Sequence, residues 1–189
     1  MNCRPLANDA PEMQAIVAYI KFLSTGVARD QHLRGLGTGQ MPELKRAADP
    51  ARGEPQYASH CAACHKTDGS GVRGSAAGTD LGYTFNDGAG MARIITLANF
   101  IHFNMPHGAD YLNPQISVEA AWDIAAFVLS HPRPHLAGLE HDFPNLLTKP
   151  VDTPYGPYAD HYSERQHKYG PFAPIRVEID RLKRKPAHD

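Results

Sequence analysis

Five consecutive residues, Cys61-Ala62-Ala63-Cys64-His65, constrain this chain more than anything else in it. Two thiols with two residues between them share one turn, and the next residue projects an imidazole from that turn. The spacing lets both sulfurs add across the two vinyl groups on one haem edge while the imidazole reaches the iron. The motif therefore predicts one covalently attached haem c, held by Cys61 and Cys64, with His65 as an axial iron ligand. A dithiol redox pair would belong in a βαβ setting, and a zinc site would need a second cysteine or histidine pair at short spacing. The βαβ setting is absent, and there is no second cysteine pair. Its third cysteine, Cys3, is too little to make a disulfide scaffold.

Composition sets the outer limits. A chain of 189 residues can hold one ordinary domain, or a small domain with long additions. Nineteen basic residues against twenty acidic ones give no reason to expect nucleic acid or an anionic membrane surface as partner. Mean hydropathy is −0.43, and no run approaches the roughly 20 apolar residues of a membrane span. The opening Met1–Pro5 shows no basic leader followed by an apolar stretch.

Apolar spacing predicts an all-α chain. Asp9 and Glu12 suggest a capping box opening a first helix, on which Met13, Ile16, Val17, Ile20 and Leu23 form a stripe that Gly26 ends. Residues 27–48 are polar and glycine-rich and read as a linker. A second helix is expected after Asp49-Pro50, running into Cys61, with Gly53 and Tyr57 on one face. Residues 66–90 hold seven glycines, as a loop wrapped around something would. A third helix is expected near 89–103, striped by Met91, Ile94, Ile95, Ala98 and Ile101, and a fourth over 117–130, ended by Pro132 and Pro134. Beyond Ser130 lie nine of the sixteen prolines and four of the eight tyrosines. This predicts an extended tail over 135–189, disordered at its basic end, Arg181–Lys185. The expected organisation is thus 1–26 as a terminal helix, 27–48 as linker, 49–134 as the haem domain and 135–189 as tail.

The second axial ligand must come from a segment folded over the opposite haem face. Asn104-Met105-Pro106-His107-Gly108 follows an apolar helix and breaks it sharply, which sets the Met105 thioether on a loop. Thioether ligation favours ferrous iron and raises the potential. Met105 is the expected ligand; His102 and His107 are rivals whose imidazoles would lower the potential, and Met105 could instead be a core methionine. With both axial positions filled, one-electron transfer through an exposed haem edge is the simplest remaining chemistry. A labile sixth position would instead suit a haem sensor.

Gly53, Tyr57, the Cys61–His65 motif, Asn104-Met105-Pro106 and the closing helix make the middle of the chain resemble a class I cytochrome c. The opening Met1–Leu6, Glu12–Ile20, Phe85–Met91, Tyr155–Tyr158 and Gln166–Phe172 extend this: nearly the whole chain resembles the C-terminal part of the dihaem thiosulfate dehydrogenase-like cytochromes. That resemblance implies a class I cytochrome c fold with a long Pro/Tyr-rich C-terminal extension, and a periplasmic location. It also implies an upstream haem domain that ends in the first helix and takes Met1 as a ligand. Thiosulfate oxidation to tetrathionate would occur at that other haem, on a cysteine ligand that Cys3 does not match, while the haem held here relays electrons to a redox partner protein. Two departures stand out. Asn104 occupies the place where ligand-switching members carry lysine. No proline lies between His65 and Met105 to offer the carbonyl that usually accepts the proximal imidazole N–H, and the loop at 75–87 looks shortened.

Overall fold

A computed structural model describes residues 6–28, 39–71 and 85–184. Met1, Cys3, most of the glycine loop after the haem motif and the final five residues lie outside the described residues, so the readings made of them go no further. Among the described residues every regular element is helical, and β-structure is limited to two isolated bridges, His107–Ala109 and Asp110–Asn113.

The described residues fall into two units, the first holding 6–28 and the second the rest. The first is the helix α1, Pro11–Leu23, none of whose residues is buried; Ile16, Tyr19, Ile20, Phe22 and Leu23 are all exposed. Its N-cap is Ala10, not Asp9, and no side chain caps it. Proline explains the shift: it fits the first helical position, and it holds the preceding residue extended, here Ala10 at ψ 138°.

The second unit is built on α5, Val118–Ser130, capped by the Ser117 hydroxyl, which accepts the Ala120 N–H at 3.2 Å. Apolar residues occupy nearly every side of α5, because helices and the tail surround it: Ala121, Trp122, Ile124, Ala125, Val128 and Leu129 are all buried. Helix α2, Pro50–His60, crosses it closely. Asp49 caps α2 by accepting the Ala51 N–H at 2.9 Å. At the crossing only glycine fits, since a Cβ on Gly53 would lie 1.9 Å from the Asp123 carbonyl oxygen. One turn on, the Tyr57 and Phe127 rings meet at 5.1 Å. The expected shared face of Gly53 and Tyr57 is thus the α2–α5 contact, and both residues are buried.

Helix α3, Ala62–His65, follows α2 after a break at Cys61, and α4, Ile94–Asn104, also packs on α5. Helix α4 starts later than its apolar stripe suggests. Gly90–Ala92 is a separate 3-10 turn, and Arg93 is extended at φ −89°, ψ 124°. The cause lies far along the chain: the buried Asp152 carboxylate accepts the Ile95 N–H at 3.0 Å and the Arg93 Nε–H at 2.8 Å. It satisfies an otherwise orphan donor and meets the positive end of the helix.

Two expected boundaries move. Residues 41–48, read as linker, are packed into the domain. Met41 and Ala48 are buried, the Met41 N–H donates to Asn99 Oδ1 at 2.8 Å, and Trp122 Nε1–H donates to the Pro42 carbonyl at 3.1 Å. Arg46 donates through both terminal nitrogens to the Asp123 carboxylate at 2.7 Å, which also accepts the Asp49 N–H at 2.9 Å. That carboxylate holds the Arg46 guanidinium above its ordinary range.

The tail lies over the domain but is not extended throughout. It forms α6, Glu164–Tyr169, and α7, Ala173–Arg184, and it buries Tyr169, Phe172, Ile175 and Ile179 in the common core. The basic end expected to be disordered is helical as far as Arg184, with Arg181 donating to Glu178 at 2.7 and 2.8 Å. Prolines and tyrosines are structural here. Buried Lys149 donates to the Pro157 carbonyl at 2.9 Å among the rings of Tyr155, Tyr158 and Phe143, at 4.6, 5.0 and 5.7 Å. Burial pushes its ammonium below the ordinary lysine range, against the pull of Asp142. Burial likewise raises the Tyr155 phenol to about 12, helped by its hydrogen bond to Asp142 at 3.0 Å. Buried His167 meets the Val151 carbonyl through Nδ1 at 2.8 Å and Asp160 through Nε2 at 3.1 Å, and it stacks on Tyr158 at 3.6 Å.

Candidate haem-binding site

The attachment motif is one turn of backbone. The Cys61 N–H donates to the Tyr57 carbonyl at 2.8 Å, tying the motif to α2. Cys64 and His65 N–H groups both return to the Cys61 carbonyl, at 3.1 and 2.9 Å, so the two cysteines and the histidine stand on a single turn. Cys61 is half-buried against the core, Cys64 is exposed, and His65 is half-buried. The chain then turns off abruptly. Lys66 takes φ 61° with ψ 165°, a conformation that favours glycine, and the Gly71 N–H closes back on the His65 carbonyl at 3.0 Å.

Met105 sits at the C-cap of α4, half-buried, its N–H donating to Ile101 at 3.1 Å and its peptide to Pro106 cis. Helices α2 and α4 both pack on α5, so the segments bearing His65 and Met105 hang from one support. Of the rivals, His107 is exposed, whereas His102 is half-buried with Nδ1 2.6 Å from the Ile116 carbonyl oxygen. Asn104, at the position of interest for ligand exchange, is buried at the end of α4, its side-chain N–H donating to the Phe100 carbonyl at 3.3 Å. The loop between His65 and α4 that would supply a carbonyl to His65 is largely outside the described residues.

The donor set fits a covalently held haem: two cysteines one turn apart, an imidazole on the same turn, and a thioether on a separate loop. Among the described residues no three His, Cys, Asp or Glu side chains converge as a metal cluster. Sequence reasoning missed the carboxylates that brace these segments. Asp123 had left a signal, an isolated acid within the apolar run of α5. Asp152 left none.

Comparison with known proteins agrees with this geometry. Residues 48–128 match the family described as cytochrome C oxidase, cbb3-type, subunit III. The chain contains a class I c-type cytochrome domain, all-α in fold, and such a domain carries haem c, with its iron, covalently. Its relatives are more particular. The thiosulfate dehydrogenase of Allochromatium vinosum is 43% identical over 140 residues, covering 71% of this chain and 50% of the relative. That of Stutzerimonas stutzeri is 38% identical over 141 residues, covering 71% and 44%. Among solved structures, thiosulfate dehydrogenase (TsdBA) from Marichromatium purpuratum superposes with a TM-score of 0.55 at 32% identity, over 72% of this chain and 29% of that one. This domain therefore resembles the haem domains of thiosulfate dehydrogenases and serves haem electron transfer. The chain spans about half the length, or less, of the relatives it matches. No helix among the described residues is long and apolar enough to cross a membrane.

Proposed function

We propose that this chain relays single electrons through one haem c, attached by Cys61 and Cys64 and ligated by His65 and Met105. The observation that carries the reading is the single turn holding two cysteines and an imidazole, bonded to the end of α2. Haem supplies a one-electron Fe(III)/Fe(II) couple when bound. The chain's residues would do the rest: His65 and Met105 would ligate the iron, and the soft sulfur of Met105 would favour the reduced state.

The relatives support a larger setting. In this proposal the domain works in the periplasm as one haem domain of a dihaem protein, passing electrons to a redox partner protein. The whole protein would oxidise two thiosulfate ions to one tetrathionate, joining two sulfurs and releasing two electrons. The 43% identity to a thiosulfate dehydrogenase supports this, and the relay role is assigned here because the matched segment carries a single attachment motif.

The ligand test is spectroscopic. The ferric protein should show the weak far-red band of sulfur-ligated haem. Met105→Ala should abolish that band and lower the potential, whereas His107→Ala should leave both unchanged. A normal band in Met105→Ala would remove Met105 from the iron. Replacing Cys61 and Cys64 by alanine should leave haem extractable under denaturing conditions. Robust tetrathionate formation by this chain alone would overturn the relay reading in favour of an enzyme.

A further inference from the structure

We propose that His102 is a positioning residue for the sixth ligand: through Nδ1 it clamps the far end of the loop that carries Met105. The proposal rests on the Met105 reading above. Helix α4 ends at Asn104, the chain leaves through Met105-Pro106, and it returns to Ser117, the N-cap of α5. His102 Nδ1 lies 2.6 Å from the carbonyl oxygen of Ile116, fourteen residues on, immediately before that cap. A carbonyl oxygen only accepts, so Nδ1 carries the proton and donates. One side chain in the last turn of α4 thus pins the point where the loop ends, and Ile116 itself is buried.

Other contacts in the loop act differently. The Ala109 N–H donates to the Pro106 carbonyl at 2.9 Å, and Asp110 accepts the N–H groups of Leu112 and Asn113 at 2.8 and 3.0 Å. These shape turns inside the loop without fixing it to α4. A second tie to α4 is Phe103, stacked on Tyr111 at 5.0 Å, with Gly39 so close that a Cβ there would lie 2.6 Å from both rings. His102 and Phe103 therefore hold the loop at two places, its end and its middle, leaving Met105 between a helix terminus and a pinned return. A thioether is a weak ligand, so its hold on iron depends on how narrowly the protein limits its position.

The experiment uses the haem-loaded ferric protein and reads the far-red band and the affinity for added imidazole, which competes with the thioether. His102→Ala should weaken the band and raise imidazole affinity about two- to tenfold, the range expected from losing one net hydrogen bond. His102→Asn places an amide N–H where Nδ1–H was and should restore both readouts toward the wild-type values. Should His102→Ala fail to attach haem, His102→Gln, with its donor one bond further out, takes its place with the same loosening expected. Wild-type imidazole affinity in His102→Ala or His102→Gln overturns the clamp, as does an Asn variant as loosened as Ala. Absence of the far-red band from the wild-type protein overturns instead the Met105 reading, so the two failures are distinguishable.

Discussion

Replacing Gly53 with alanine sets two effects of opposite sign against each other, and the structure decides between them. In isolation the change favours a helix by about 1 kcal/mol, because glycine loses more backbone entropy than alanine on folding. In this fold the added Cβ would meet the Asp123 carbonyl oxygen at 1.9 Å and the Phe127 Cβ at 2.9 Å. Real Cβ contacts do not fall below 3.0 Å, so α2 and α5 must separate by at least 1.1 Å at the crossing, the difference between 3.0 and 1.9. The nearest obstacle is backbone, which cannot rotate away as a side-chain end would. Overpacking of this kind costs about 1–3 kcal/mol, and a backbone obstacle places it at the upper end. The net expectation is a loss of about 2 kcal/mol, or a Tm lower by about 4–8 °C for a unit of this size. Thermal melts followed by far-UV circular dichroism measure it, with Gly90→Ala as control: that site has no heavy atom within 4 Å of a new Cβ and no positive φ, and its stability should stay within about 0.5 kcal/mol. A Gly53→Ala protein as stable as the wild type would show that propensity outweighs the crossing, and the close-packing argument would fail.

Two further expectations concern the tail. Asp152→Ala removes a fully buried carboxylate that serves both Arg93 and the Ile95 N–H, so it should cost about 3 kcal/mol in chemical denaturation; a loss under 1 kcal/mol would mean that the tail does not brace α4. Tyr155 makes a pH prediction. Its folded pKa is raised to about 12, so the neutral phenol contributes stability that is full below the ordinary tyrosine range and is lost as pH climbs toward that value. Burial also raises the phenols of Tyr158 and Tyr169, so tyrosinate absorbance should contain a late-titrating fraction that Tyr155→Phe reduces by one phenol; an undiminished late fraction in that variant would refute the Tyr155 shift.

Much of the fold was legible because it depends on local periodicity. The Asp49 and Ser117 caps, the apolar faces of α4 and α5, and the small-plus-aromatic face of α2 all follow from residues within a few positions of one another. The tail was misread for a definite reason. Ile175, Ile179 and Leu182 do fall on one helical face of α7, just after Phe172, but the surrounding prolines suggested an extended chain. Residues 41–48 have no periodicity to betray them, and they join the domain through single long-range bonds such as Trp122 to Pro42 and Arg46 to Asp123.

The same division runs through the site. The sequence by itself marked the Cys61–His65 turn as the candidate attachment site, because two cysteines and an imidazole at fixed spacing are a local pattern that needs only one turn of helix to come together. It also marked Met105 as the residue at which an apolar helix breaks. Only the tertiary structure decided what holds that break in place, since the His102 to Ile116 contact joins residues fourteen apart and the Asp152 cap on α4 joins residues fifty-seven apart. Spacing along the chain carries covalent reach and helical phase; it does not carry the identity of a carbonyl or carboxylate brought back by folding.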